Sequence, residues 1–137
     1  MTNAEIESLL AGAEIGVLST VDAEQRPEGS PVWFEHSHGI VKVLVHRASR
    51  KARSIRGNSN VSLTVDTRSA PYRGVILRGR ATLSGPDPAF RRRLAHRYLG
   101  AETGERYLAT TADLDREDVL LTIEVTSRYS WDYSKGV

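Results

Sequence analysis

The sequence alternates apolar and polar side chains over many short stretches, and this pattern is its strongest constraint on the fold. Val61, Leu63 and Val65 alternate with polar residues, which is typical of a strand that buries one face. Other strands are predicted at Glu14–Val21, Ser30–Phe34, Ile40–His46, Tyr72–Leu83, Val119–Val125 and Tyr129–Tyr133. Gly79, inside the longest of them, predicts a bulge or a close backbone approach. Short turns connect most of these roughly six or seven strands, so we expect a mainly β antiparallel barrel rather than a doubly wound parallel sheet.

Helices are predicted to flank this barrel singly, because each has its own start or stop signals. Thr2 and Glu5 have the spacing of a capping box, and Asp87 followed by Pro88 is typical of a helix start. The predicted helices are Asn3–Ala11, Arg50–Gly57, Pro88–Leu99 and Glu102–Thr110, with a turn at Glu35–Gly39 and an acidic connector at Asp113–Asp118. No internal repeat or linker interrupts them, so we expect one domain over residues 1–137.

Composition restricts the classes of function. The 137 residues carry a formal net charge of +2 and no cysteine, which excludes a disulfide framework, a thiolate metal site and a cysteine nucleophile. The charge is too small to predict nucleic-acid binding, no apolar run is long enough to span a bilayer, and the acidic amino terminus lacks the pattern of a signal peptide. We therefore expect a soluble, cytoplasmic protein whose small core favours pairing with a second copy as a homodimer.

One segment combines several groups that bind anions. Ser49, Arg50 and Lys51 follow a predicted strand and open a predicted helix. The start of a helix offers unpaired backbone N–H groups and the positive end of its dipole, while the three side chains add a hydroxyl donor, a planar guanidinium and a point charge. On these residues alone, a phosphate site and a solvated basic helix face capped by serine remain equal alternatives.

Further landmarks occur in a characteristic order along the chain. They are Gly16–Asp22, Arg26-Pro27, Ser30–Phe34, Ser49–Arg53, Asn60–Leu63, Tyr72–Val75, Arg78–Ala81 and Trp131-Asp132. In this order and spacing, the chain resembles the pyridoxamine 5′-phosphate oxidase-like family over residues 5–135. The resemblance implies a split β-barrel, which is an antiparallel Greek-key barrel of about six or seven strands with flanking helices. It also implies a homodimer that binds a flavin or a deazaflavin between its subunits.

The same resemblance implies which residues bind the cofactor. The residues at its phosphate would be Ser49, Arg50 and Lys51, with His46 and Arg47 where the chain turns towards it. The residues along its tricyclic ring would be Pro31, Val32 and Trp33, with Trp131 reaching the cofactor of the partner subunit. A site shared between two subunits would shelter an apolar ring although each core is small.

Within the family, the sequence is more similar to the deazaflavin branch than to the true oxidases. The oxidases carry basic residues on the second strand that help to hold FMN, whereas Gly29 and Phe34 occupy the nearest positions here. The resemblance therefore implies an oxidoreductase that transfers a hydride from reduced coenzyme F420 to an electron-poor small organic acceptor. An FMN-dependent oxidoreductase of the same fold and a non-catalytic flavin- or heme-binding module remain the alternatives.

A second group of residues has weaker signals. Tyr72, Arg73 and Arg78 lie near the place where this fold puts a substrate or the tail of a cofactor, and strand-end packing or surface charge also explains them. No side chain is assigned as catalytic, because the cofactor carries the difficult chemistry in a hydride transfer.

The remaining histidines and arginines predict surface features. His36 and His38 could share the face of a strand, but no third ligand is evident nearby, so we predict an exposed turn and no metal site. The run Arg91-Arg92-Arg93 is predicted to be a solvated helix face that could attract a polyanion.

Overall fold

The computed structural model describes residues 1–136, which form seven strands, five α-helices and a short 3-10 helix. The strands are β1 (Gly16–Val21), β2 (Pro27–Val32), β3 (Glu35–Ser37), β4 (Ile40–His46), β5 (Asn60–Asp66), β6 (Arg73–Leu83) and β7 (Asp118–Asp132). The helices are α1 (Asn3–Ala11), α2 (Arg50–Gly57), α3 (Pro88–Leu99), α4 (Ala101–Thr110) and α5 (Leu114–Glu117), followed by the 3-10 helix Tyr133–Lys135. None of the helices in this part of the chain combines the length and the apolar composition needed to cross a bilayer.

The seven strands form one antiparallel sheet that curls into a split barrel. Their order is β2-β1-β5-β6-β7-β4-β3, so β2 and β3 lie at opposite edges. Yet only Trp33 and Phe34 separate these two strands in sequence. The chain from Val32 to Glu35 spans at most about 11 Å, and the sheet must therefore curl until its edges nearly meet. We call this unpaired junction between β2 and β3 the seam; the predicted split barrel is confirmed.

The barrel interior is a packed core. Alternate side chains on the strands are buried, among them Leu18, Val43, Leu63, Leu77, Leu121 and Ile123. Ile6, Leu9 and Leu10 on one face of α1 are buried in the same cluster, which confirms the predicted leading helix. Because the interior is filled by the chain's own side chains, a ligand has to bind on the outer surface of the barrel.

The strands beside the seam differ from the prediction. β2 begins at Pro27 rather than Ser30, and the predicted turn Glu35–Gly39 contains β3. The polar residues of β3 form a strand because they pair with β4, for example His36 with Val41. The side chain of His36 is only 6% exposed, with Nδ1 3.7 Å from the carboxylate of Glu7 on α1. The prediction of an exposed turn at His36 is therefore wrong, since α1 covers this edge.

The last strand is continuous where two strands were predicted. β7 runs over 15 residues from Asp118 to Asp132, and it follows directly on α5 within the predicted acidic connector. Its pairing with β6 shifts register between Arg78 and Gly79. A bulge therefore accommodates the polar residues that separate the two predicted strands, and the strand continues through them. A Cβ atom at Gly79 would overlap the carbonyl oxygen of Glu124. The predicted bulge and close backbone approach at Gly79 are confirmed.

Candidate functional site

The turn between β4 and α2 places several polar groups at the start of a helix. Ser49 has extended backbone angles and caps α2, with its Oγ accepting a hydrogen bond of 3.2 Å from the Ala52 amide. Its hydroxyl proton is still available to donate, because only the oxygen is used in the cap. The amide groups of Arg50 and Lys51 lie in the first turn and have no intrahelical acceptor. The predicted start of the helix at Ser49 is confirmed.

His46 and Arg47 stabilise this turn through hydrogen bonds to other parts of the chain. Nδ1 of His46 accepts a hydrogen bond of 3.1 Å from the Ala48 amide. The guanidinium of Arg47 binds the Glu117 carboxylate with distances of 2.7 and 3.3 Å, and Arg56 donates to the Arg47 carbonyl oxygen at 3.0 Å. Both residues therefore already have partners that fix the turn, and the side chain of Arg47 is directed towards the start of β7.

Arg50 and Lys51 point in different directions, because consecutive residues of a helix lie about 100° apart. Arg50 donates to Glu28 of β2 at 2.8 Å and is 73% exposed. It lines a cavity of about 890 Å³ between α2 and the turn that joins β1 to β2. Lys51 is half-buried and lines a different groove. The predicted cation pair is therefore divided between two surfaces.

The groove that contains Lys51 lies at the seam, and we call it the seam groove. Its volume is about 450 Å³. Its lining residues are Ile15, Pro31, Val32, Trp33, Leu44, Lys51, Arg91, Leu94, Tyr107 and Asp118. The structure thus brings together Lys51 and all three residues that were predicted to lie along a ring. Apolar and aromatic walls with a few charged groups are typical of a site for a small organic ligand.

Aromatic side chains from the helices hold Trp33 in the wall of the seam groove. Its ring stacks on Tyr98 of α3, with 5.1 Å between the ring centroids and 6° between the planes, and meets Tyr107 of α4 at 5.6 Å. The hydroxyl of Tyr98 accepts from the Phe34 amide at 3.0 Å and donates to the Glu14 carbonyl oxygen at 2.7 Å. The Phe34 amide lies at the seam, where no neighbouring strand within residues 1–136 offers it an acceptor, and the Tyr98 hydroxyl takes that place.

Arg91 is a groove residue that sequence reasoning placed wrongly on the solvated face of α3. It is 3% exposed and donates to the Asp115 carboxylate at 2.9 Å and to the hydroxyl and carbonyl oxygens of Thr111 at 3.1 and 2.9 Å. The helical spacing indicated this burial, because Arg91 shares a face with Leu94 and Ala95, which are buried. Arg92 and Arg93 are exposed, as predicted.

Asp118, the first residue of β7, is the other charged groove residue that was missed. It pairs with His46 across the β4–β7 ladder, which places it beside the start of α2. Burial raises the pKa of this carboxyl, while the positive charges of Arg91, His46 and Lys51 oppose the rise. The sequence around Asp118, which was predicted as an acidic connector, did not indicate that this residue lines a groove.

The other predicted residues lie away from the seam groove. Trp131 is near the far end of β7, and 13 residues at about 3.3 Å each separate it from Asp118 along the strand. A Cβ atom at Gly74 would lie 2.5 Å from Cζ2 of Trp131, so this ring covers the neighbouring β6. Tyr72 and Arg73 lie near the same end of the sheet, and Arg78 is exposed on β6.

The strand order and the curled sheet define a split-barrel protein with a groove on the outside of the barrel. The sequence profile of pyridoxamine 5′-phosphate oxidase matches residues 2–132. The chain belongs to the pyridoxamine 5′-phosphate oxidase family.

Solved structures agree with this assignment. An F420 reductase is 28% identical, with a TM-score of 0.76 over 90% of this chain and 94% of that one. A conserved hypothetical protein from Mycobacterium tuberculosis is 24% identical, with a TM-score of 0.80 over 100% of this chain and 89% of that one. An FAD-binding protein from Mesorhizobium loti is 17% identical, with a TM-score of 0.68 over 95% and 94%. No curated protein matches this sequence.

Proposed function

We propose that this protein is an oxidoreductase that binds coenzyme F420 and passes a hydride to an electron-poor small organic acceptor. The observation that carries the proposal is the seam groove, where Lys51 at the start of α2 and the residues Pro31, Val32 and Trp33 line one surface. A cation beside a helix start suits a phosphate, and the adjoining aromatic and aliphatic wall suits a planar ring.

The chain's own groups match the chemistry of a phosphorylated ring cofactor. Lys51, the hydroxyl of Ser49 and the first amides of α2 would hold the phosphate. Trp33, itself held by Tyr98 and Tyr107, would position the ring and exclude water from one of its faces. The bound cofactor supplies the hydride. The side chains of the groove would orient the cofactor and would leave the other face of its ring free for the acceptor.

Two observations favour the deazaflavin over FMN. The F420 reductase matches nearly the whole chain at an identity that exceeds that of the FAD-binding relative. In addition, β2 contributes a carboxylate rather than a cation near α2, since Glu28 binds Arg50. Lys51 is therefore the main cation for the phosphate in this chain, whereas the oxidases also use basic residues on the second strand. FMN remains the second candidate because the family profile is that of an FMN-type oxidase.

The proposal includes a homodimer, supported by the outer face of the sheet. Strand pairing places Val17, Thr64, Ile76 and Tyr129 in one row across four strands. Tyr129 is 60% exposed and the other three are partly exposed, and a mostly apolar row of this kind supports an interaction surface. A second copy on this face would bring the far end of β7, with Trp131, towards the partner subunit and give Trp131 its proposed role at the partner's cofactor.

Titration of the purified protein with coenzyme F420 and with FMN, side by side, tests the proposal. Quenching of deazaflavin fluorescence at micromolar or lower concentration, with weaker FMN binding, supports it. A yellow protein that releases FMN favours the second candidate. Turnover is then measured as oxidation of the reduced cofactor in the presence of electron-poor acceptors such as quinones and nitroaromatic compounds. Binding without turnover across this panel would indicate a storage or carrier protein.

A further inference from the structure

Asp118 is the one carboxylate that lines the seam groove among residues 1–136. It is half-buried, and within the same residues it takes part in none of the ion pairs, although Arg91 and Lys51 line the groove with it. Nearby acidic residues do have partners: Asp115 binds Arg91, and Glu117 binds Arg47. A carboxylate that is partly removed from water and lacks a hydrogen-bond partner costs free energy, and a bound ligand with donor groups would remove that cost.

The groups around Asp118 explain how a carboxylate can lie in an anion-binding groove. Arg91 faces it from α3, His46 from β4 and Lys51 from α2, while Asp113, before α5, adds a negative charge. Among the residues that line the groove, Lys51 and Arg91 carry two positive charges against the single negative charge of Asp118, so the lining keeps a net positive charge that favours an anion. Asp118 would repel the phosphate of a ligand, so the phosphate is not its partner. The planar ring is not its partner either, because the ring would lie against the apolar wall at Trp33.

We propose that Asp118 accepts hydrogen bonds from the hydroxyl groups of the chain that joins the phosphate of the cofactor to its ring. The inference rests on the proposed function and identifies a residue that selects a polyhydroxylated ligand. An ionised carboxylate is purely an acceptor, and both flavins and deazaflavins carry hydroxyl donors on this chain. The position of Asp118 fits, because it lines the same groove as Lys51 and is paired with His46 beside the phosphate end.

A comparison of two ligands on the wild-type protein and three variants tests this inference. The ligands are FMN and an FMN analogue whose chain carries no hydroxyl groups, or the corresponding deazaflavin pair, and the readout is the dissociation constant from fluorescence titration. A hydrogen bond to a charged group corresponds to roughly a tenfold or greater effect. The wild-type protein is therefore expected to prefer the hydroxylated ligand at least tenfold, and Asp118→Ala to reduce this preference to about twofold or less.

Asp118→Asn retains an acceptor oxygen and is expected to keep an intermediate preference. Asp113→Ala removes a nearby carboxylate that is exposed and outside the groove, and it should keep the full preference. Thermal melts establish whether each variant is folded. If Asp118→Ala does not fold, the ratio of the dissociation constants of the two ligands for Asp118→Asn decides the test. An unchanged preference in the folded variant overturns the inference alone. If the wild-type protein binds neither cofactor, the proposed function fails as well.

Discussion

Removal of the Lys51 ammonium group is the sharpest perturbation of the candidate site. Lys51 lines the seam groove, and within residues 1–136 no ion pair includes it, whereas its neighbours Arg47 and Arg50 each bind a glutamate. Lys51→Ala should therefore leave folding nearly unchanged and remove a ligand contact. One charge-assisted hydrogen bond contributes about 1.5–3 kcal/mol, which corresponds to cofactor binding weaker by roughly 10- to 150-fold.

Arg50 should contribute less than Lys51, although the two are adjacent in sequence. Its guanidinium is mostly exposed and already bound to Glu28, so a ligand phosphate would have to compete with that carboxylate. We expect Arg50→Ala to weaken binding about two- to threefold, as is usual for exposed charge pairs. Glu28→Gln should tighten binding by a similar factor, because it releases Arg50 from its partner.

Fluorescence titration of each variant with coenzyme F420, and with FMN in parallel, measures these effects. Arg53→Ala is the matched control, because Arg53 lies on the same helix but lines the cavity on the other side. Its dissociation constant should stay within about twofold of the wild type. Comparable losses for Lys51→Ala and Arg53→Ala would refute the reasoning, since binding would then depend on the general charge of α2 rather than on the seam groove.

Three further predictions concern the barrel. Gly79→Ala should lower the free energy of unfolding by about 1–3 kcal/mol in urea denaturation, because the added Cβ overlaps the Glu124 carbonyl oxygen, whereas Gly85→Ala, with open space around it, should have little effect. Burial lowers the pKa of His36 below its ordinary value of 6.5, so the unfolded chain binds the proton more readily. Stability should therefore fall as pH drops below about 6.5, and His36→Gln should reduce this fall; an unchanged pH dependence would contradict the assignment. Tyr129→Glu should convert the proposed dimer to a monomer in analytical ultracentrifugation, and a wild-type protein that sediments as a monomer would exclude that interface.

Local chemistry explains which parts of the fold could be predicted from the sequence. The starts of α2 and α3 were correct because Ser49 and Asp87 cap them within one turn. The strand with alternating Val61, Leu63 and Val65 was correct because one of its faces is buried. These signals act within a few residues, and no distant part of the chain overrides them.

The errors occurred where distant contacts decide the structure. β3 is a strand because its backbone pairs with β4, which its polar sequence did not indicate. Arg91 is buried because Thr111, directly after α4, and Asp115 in α5 are its partners. Arg50 and Lys51 were predicted as one pair, but consecutive helix residues lie about 100° apart, and the partner that holds Arg50 on its own surface, Glu28, lies 22 residues away. Asp118 entered the site only through the β4–β7 register.

The two residues that bridge the seam also set a dimension of the binding site. Trp33 and Phe34 are all that connects the two edge strands, and Trp33 lines the groove that opens beside them. An insertion between β2 and β3 would widen both the barrel and the seam groove. A deletion would force these two edge strands to overlap. Relatives with a bridge of a different length should therefore differ in the width of the groove at this seam.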